Sequence, residues 1–182
     1  MTLPIVRPRA EEAADLAALH IRCWQEAYRG IVPDSILDDT DPGHQIAVWR
    51  SAIEDPRRIV LAAYDGGRPV GFIMAGVATE QLFEGIDGHI YALYLAASHY
   101  RQGIGRRLLG MTAGNWRDRG GRSLALGVLS ANARARHFYD ALGGRLVREG
   151  TYDWGGHAIP DAIYVFEALD ALARLNDGTV HP

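Results

Sequence analysis

The stretch Tyr100–Leu109, YRQGIGRRLL, sets Gly103 and Gly105 one residue apart, with Arg101 before them and a helical apolar spacing after them. Ile104, Leu108, Leu109, Thr112 and Trp116 fall on one face of the helix this predicts. Just upstream, HIYALYLAA is apolar on both sides, as a strand buried in the middle of a sheet must be. Strand, glycine turn and helix together make a phosphate-binding arrangement. The first turn of a helix leaves about four N–H groups without partners and carries roughly half a positive charge. Phosphate oxygens satisfy both. Gly103 and Gly105 clear the approach to the backbone and can take positive φ. Arg101, Arg106 and Arg107 add charge around the mouth. A purely structural helix start is the competing reading of a bare glycine pair.

Two nucleotide motifs fail on this stretch. The dinucleotide fingerprint needs a third glycine where Leu108 stands, and the triphosphatase loop needs a lysine. All 19 basic residues are arginine. The net charge of −3 argues against nucleic acid as a partner. Yet residues 101–150 hold ten arginines against Asp118, Asp140 and Glu149. Such a local excess suits a small anionic ligand, or a solvated face. Cys23 is the lone cysteine, so no internal disulfide can form, and a reducing cytoplasm fits. A nucleophilic role for it needs a base that the sequence does not place. The first twenty residues carry no long apolar run, so neither a signal peptide nor a membrane span is expected. The seven histidines are scattered, and no metal site is expected.

The elements that must position the glycine loop follow from periodicity. With 182 residues, about half of them apolar, the chain can bury one good core. LPIVRPR reads as a short strand. A helix follows across Ala13, Leu16, Ala17, Leu19 or His20, Cys23 and Ala27, ending at Gly30. IVPDSILDDTDPG is a loop with one helical turn, and HQIAVWRSAIED a second helix spaced by Ile46, Trp49 and Ile53. RIVLAAYDGGRPVGFIMAGVA reads as a hairpin turning at Asp65-Gly66-Gly67. After the glycine helix come a buried strand, SLALGVL, and a helix from Asn132 to Gly143-Gly144. A last hairpin turns at Gly155-Gly156. The predicted class is α/β with a mixed sheet and helices on both faces. One domain is expected over residues 1–168, with a tail over 169–182.

The segments GHIYALYLAASHYRQGIGRRLLGMTAGNWRDRG and LGVLSANARARHFYDALGGRL together resemble the Gcn5-related N-acetyltransferase superfamily. Its acyl-CoA motif runs strand, [Q/R]-x-x-G-x-[G/A], helix. Its next motif runs strand, Asn, helix with a tyrosine, glycine-containing helix end. The resemblance covers roughly residues 3–168 and is densest over 88–145. One position departs: Tyr100 stands where Gln or Arg is usual, with Arg101 one place later.

The resemblance implies a mostly antiparallel sheet whose two central strands splay around acetyl-CoA. By position, Leu93, Tyr94 and Leu95 line the pantetheine arm, and the Leu95 amide is the candidate to polarise the thioester carbonyl. Tyr100, Arg101, Gln102, Gly103, Ile104, Gly105 and Arg106 cradle the pyrophosphate, and Asn132 contacts the arm. Tyr139 falls at the general acid's position. His89 occupies the place of a glutamate that helps deprotonate the amine in many relatives, and an unperturbed imidazole suits that work. The glutamate of peptide-directed relatives is replaced by Gly127. Trp24, Tyr28 and Trp154 are the candidates to shape the acceptor pocket, with Glu26, Asp34, Asp38 and Asp39 available to attract a cationic amine. The implied activity is transfer of an acetyl group to a primary amine of a small or amino-acid-like molecule, without a metal. Peptide N-terminal acetylation and a non-catalytic acyl-CoA-binding module remain as alternatives. A homodimer is a further expectation, with Leu169, Leu172 and Leu175 as an edge contact.

Overall fold

The computed structural model describes residues 2–78, 84–154 and 156–177. The strands are β1 (Ile5–Val6), β2 (Ile59–Asp65), β3 (Arg68–Val77), β4 (Gly88–Leu95), β5 (Leu124–Leu129), β6 (Arg145–Trp154) and β7 (His157–Phe166). They form one sheet in the order β1-β2-β3-β4-β5-β7-β6, antiparallel throughout except for β4 beside β5. The helices are α1 (Ala13–Tyr28), α2 (Asp34–Asp38), α3 (Pro42–Glu54), α4 (Ile104–Asp118), α5 (Ala133–Ala141) and α6 (Leu169–Ala173). This is the mixed sheet with helices on both faces that the periodicity predicts.

Local chemistry explains the corners. The β2–β3 turn uses Gly66 and Gly67 at φ +54° and +79°, with Asp65 opposite Arg68, a two-residue turn whose twist matches its strands. Asn132 caps α5 by accepting a hydrogen bond from the Ala135 amide at 3.2 Å. The predicted turn at Gly155-Gly156 has its second glycine at φ +86°; Gly155 lies outside the described residues.

Each face has its own core. Leu16, Ala17 and Trp49 of α1 and α3 pack on Val60, Ala62 and Phe72. Leu108, Leu109 and Trp116 of α4 pack on Ile73, Ile90, Leu124 and Tyr164 from the other side. Leu169 and Leu172 of α6 are buried in that second core. The expected tail therefore belongs in part to the body, and neither leucine is left for an edge contact with another chain. Ala173 of α6 faces Gly114 of α4, where a Cβ would make an ordinary contact with it at 3.6 Å.

The feature that positions the site lies between β4 and β5. They pair only at Gly88–Leu124 and His89–Ala125. Beyond that point a bulge interrupts β4: Ala75 faces Ile90 and Met74 faces Ala92, leaving Tyr91 as the extra residue. A bulge bends its strand and sharpens the twist, which carries β4 away from β5. The closed end is pinned. The Asp87 carboxylate accepts hydrogen bonds from Trp116 Nε1 (3.1 Å), the Arg122 and Ser123 amides (2.9 Å each) and Ser123 Oγ (3.2 Å). Gly88 and Gly121 make room for the Trp116 ring, for a Cβ on either would overlap it. Each hydrogen bond to this carboxylate contributes about 1 kcal/mol or more, and buried donors left without it cost more. Asp87→Ala is expected to lower the unfolding free energy by about 2–4 kcal/mol, read from the urea midpoint at unchanged m-value.

Candidate active site

Where β4 and β5 part, a cleft of about 590 Å³ opens. Its walls are β4 from Ile90 to Leu95, β5 at Leu126–Val128 and α5 from Asn132 to Leu142. The Ala96 amide donates to Val70 O at 2.8 Å, so Ala96 is bonded toward β3. Antiparallel ladders alternate, so the N–H groups of Leu93 and Leu95 point the other way, to the side β5 has left. An extended strand edge thus faces the cleft with its amides open. A buried amide left unpaired costs about 1–3 kcal/mol, so the cleft favours a ligand that can pair as a strand does.

The cleft ends at the glycine loop. Arg101 takes φ +61° and Gly103 φ +76°, so two residues of the loop are left-handed. A non-glycine residue there costs about 1–2 kcal/mol, a strain that belongs with function more often than with mere connection. Gly103 is the N-cap of α4, and no side chain caps the helix. A Cβ on Gly103 would meet nothing within 4 Å, so that position is open toward an approaching anion. Gly105 is different. A Cβ there would come within 3.2 Å of Leu95 and 3.3 Å of Phe138, so its smallness serves packing at the cleft wall.

The arginines of the motif divide. Arg101 and Arg106 line the cleft. Arg107 does not belong to the mouth: its guanidinium donates to Leu3 O at 2.8 Å and ties the start of the chain to α4. Gln102 turns back to Ser98 O at 3.2 Å. A further guanidinium arrives from elsewhere. Arg134, in the first turn of α5, stacks 4.1 Å over the Tyr100 ring and donates to its hydroxyl at 3.1 Å. The charge missing at Tyr100 is thereby restored by a residue 34 positions away. Only the ANARAR segment's position at the mouth of a strand–helix unit hinted at it.

Tyr139 lies on α5 with 7% of its surface exposed, lining the cleft with Leu93, Tyr94 and Leu95. Burial, then the nearby Tyr28, push its phenol above the ordinary range, so it is protonated at physiological pH. A second pocket of about 360 Å³ adjoins the cleft, and Tyr91 and Tyr94 line both. Trp24 and Trp154 stand in its wall 4.5 Å apart, and Trp24 is 4.4 Å from Tyr28. The three aromatic residues singled out in the sequence are thus brought together from α1 and the last hairpin. The acids fare differently. Arg29 holds Asp34 and Asp38 at 3.0 Å each, and Arg22 lies 3.9 Å from Glu26. Asp39 lines the pocket. His20 and His44 line it too, positions the sequence gave no reason to choose.

His89 sits at the closed end, between Gly76 and Ala125, with its ring 4.5 Å from Tyr91. The lining of the cleft begins one residue later, at Ile90. Burial pushes the imidazole of His89 down to about 4, and that of His20 likewise. Cys23 is buried, its thiol pushed up to about 12 chiefly by that burial, so it is no nucleophile at neutral pH. Among the described residues no three His, Cys, Asp or Glu side chains gather as a metal site, and no helix is long and apolar enough to cross a membrane.

A model of the Acetyltransferase (GNAT) family matches residues 14–143. The chain belongs to this family. It is an N-acetyltransferase, an acyltransferase by class. The uncharacterised N-acetyltransferase YuaI of Bacillus subtilis is 29% identical over 92% of this chain and 94% of its own length. The uncharacterised N-acetyltransferase Rv2669 of Mycobacterium tuberculosis is 28% identical over 87% of this chain and 99% of its own. Among solved structures, the PaiA N-acetyltransferase of Thermoplasma acidophilum, in complex with coenzyme A, shares the fold at a TM-score of 0.70 and 18% identity, over 88% of this chain and 98% of that one. YncA of Salmonella typhimurium, a putative acetyltransferase with its cofactor acetyl-CoA, does so at 0.71 and 16%, over 100% and 98%.

The two depressed histidines give this acetyltransferase a testable pH response. Unfolded, each titrates near ~6.5; folded, each stays neutral down to about 4. The unfolded chain therefore binds more protons in that window. Their stabilising contribution is full above pH ~6.5 and falls away as pH drops through about 4. Tm should decline over this range, and His89→Gln should flatten the decline when Tm is followed by calorimetry.

Proposed function

We propose that this N-acetyltransferase uses acetyl-CoA and delivers the acetyl group directly to a primary amine of a small or amino-acid-like molecule. The observation that carries the reading is the amide-lined edge of β4, running from a left-handed loop at a helix start to a buried tyrosine. In this reading the Leu93 and Leu95 amides pair with the pantetheine arm as a missing strand would. The first-turn amides after Gly103 receive the pyrophosphate, with Arg101, Arg106 and Arg134 around it. Asn132 spends Oδ1 on its helix cap and keeps its side-chain nitrogen for the arm.

The chemistry needs a neutral amine, a stabilised oxyanion and a proton for the departing sulfur. An amine of pKa ~10.4 costs about 4–5 kcal/mol to neutralise at pH 7. His89, the expected base, lies outside the lining, and burial pushes its imidazole down to about 4, too weak a base for such an amine, so the amine's proton passes to solvent at the mouth of the cleft. Nitrogen attacks the thioester carbon, and the Leu95 N–H stabilises the developing oxyanion. As the carbon–sulfur bond breaks, Tyr139 O–H donates its proton to sulfur. The proton lost by nitrogen balances it, leaving amide and free thiol.

Thiol release from acetyl-CoA should be measured against amino acids, diamines, aminoglycosides and short peptides. Amine-dependent release is expected. Acetyl-CoA binding with silence across the panel would overturn the enzymatic reading. Tyr139→Phe should lower kcat by about 10²-fold with little change in the acetyl-CoA KM. Gly103→Val should instead raise that KM about ten-fold or more, and Arg134→Ala by a smaller factor, as loss of phosphate contacts would do. Unchanged acetyl-CoA affinity in both would refute the phosphate-loop assignment.

A further inference from the structure

The pocket of about 360 Å³ beside the cleft shares Tyr91 and Tyr94 with it, so a molecule seated there meets the cleft at Tyr94. Rings supply much of its wall: Trp24 from α1, Tyr91 and Tyr94 from β4, Trp154 from β6, and the imidazole of His20. Ile21 and Ile36 add aliphatic surface. These rings are held in place by other rings. Trp24 lies 4.5 Å from Trp154 and 4.4 Å from Tyr28, and Tyr152 stands edge-on to Trp154 at 5.5 Å. His20 sits 5.3 Å from Tyr94 and is backed by the fully buried Phe72 and Trp49 at 5.1 and 5.9 Å. Side chains already fixed by such packing lose little more freedom when a ligand arrives.

Charge is scarce in this wall. Burial keeps the His20 imidazole neutral down to about 4, and among the described residues no arginine lines the pocket. Asp41 spends Oδ1 on the Gly43 amide at 2.8 Å, capping α3. Asp39, Asp41 and His44 are exposed, so these ionisable members of the lining stand at the mouth, while the rings and the two isoleucines are the less exposed surface behind them. Apolar burial alone favours any hydrocarbon guest of the right size. Aromatic rings add a further selection. Each has a negative face and a positive edge, so a flat aromatic guest gains from offset or edge-on contacts that a saturated ring of equal size cannot make.

We infer that the acceptors of this enzyme are primary amines bearing an aromatic ring on a short alkyl link, with the ring seated among Trp24, Trp154 and His20 and the amine reaching past Tyr94 into the cleft. The inference rests on the acetyltransferase reading above. The link is short because the pocket and the cleft have lining residues in common. Trp24 and Trp154 determine the specificity: they come from α1 and the last hairpin and meet only at this wall.

The test is calorimetric titration of the CoA-saturated protein with 2-phenylethylamine, 2-cyclohexylethylamine and butylamine. Because CoA carries no acetyl group, binding is read without turnover. The aromatic amine is expected to bind about five-fold more tightly than its saturated counterpart and at least about ten-fold more tightly than butylamine. Trp154→Leu, which keeps an apolar side chain but no ring, should bring the first two within about two-fold, and Trp154→Phe should retain most of the preference. Equal affinities for the phenyl and cyclohexyl amines, tighter binding of 1,4-diaminobutane than of 2-phenylethylamine, or a preference that survives both Trp154→Leu and Trp24→Leu would each overturn the inference. A merely structural Trp154 predicts a lower Tm and equal weakening of all three amines, which overturns it as well. Parallel assays with acetyl-CoA separate the two claims. If 2-phenylethylamine binds but is never acetylated, the catalytic reading fails and the recognition stands; if amines are acetylated with no preference for the aromatic one, only this inference fails.

Discussion

The parting of β4 from β5 is the constraint on which the rest depends. Parallel neighbours normally share an even ladder of hydrogen bonds along their whole length. Here the ladder stops after two residue pairs, and the amides beyond it face a cleft. The fold tolerates this because both ends are controlled. At the closed end Asp87 gathers donors from α4 and from the start of β5, while Gly88 and Gly121 accept the Trp116 ring. At the open end the chain leaves β4 through a left-handed loop that aims the first turn of α4 back at the cleft. A strand edge, a helix N-terminus and a buried phenol then converge on one channel, and the two cavities meet where Tyr91 and Tyr94 line both.

Electrostatics follow the same division between scaffold and site. The arginine-rich stretch 101–150 looks in the sequence like a basic surface for an anion. In the fold much of that charge has other work. Arg117 pairs with Asp118 and Asp170, Arg122 with Asp87, Arg136 with Glu149 and Arg145 with Glu167. Arg119 caps the backbone carbonyls of Pro56 and Arg57. These are mostly exposed pairs, each contributing little to stability. Arg101, Arg106 and Arg134 are the arginines of this stretch that line the cleft. On the acceptor side Arg29 performs the complementary task, neutralising Asp34 and Asp38 and leaving Asp39 to face the pocket.

Much of this was legible in the residues because it is local. Hydrophobic period sets the helices and strands, and the stripe Ile104, Leu108, Leu109, Thr112, Trp116 is the buried face of α4. Gly66-Gly67 fixes a turn, and Asn132 caps the helix that carries Tyr139. The glycine loop announces a helix start open to an anion, and Gly103 fulfils the conformational part of that expectation. Trp24, Tyr28 and Trp154 were legible as an aromatic group only through the family resemblance, since nothing local joins α1 to the last hairpin.

What the sequence by itself determined is therefore the order of elements, the family and the loop that begins α4, each encoded within a window of ten to thirty residues. The tertiary structure decided which atoms share a space. It gave Gly105 to packing, sent Arg107 to Leu3 and brought Arg134 onto Tyr100. It set His89 just outside the cleft, and folded Leu169 and Leu172 into the core. The physical reason is that periodicity fixes which face of an element is apolar, but not which partner that face meets. Strand order and register make that choice, through contacts between residues far apart in the chain.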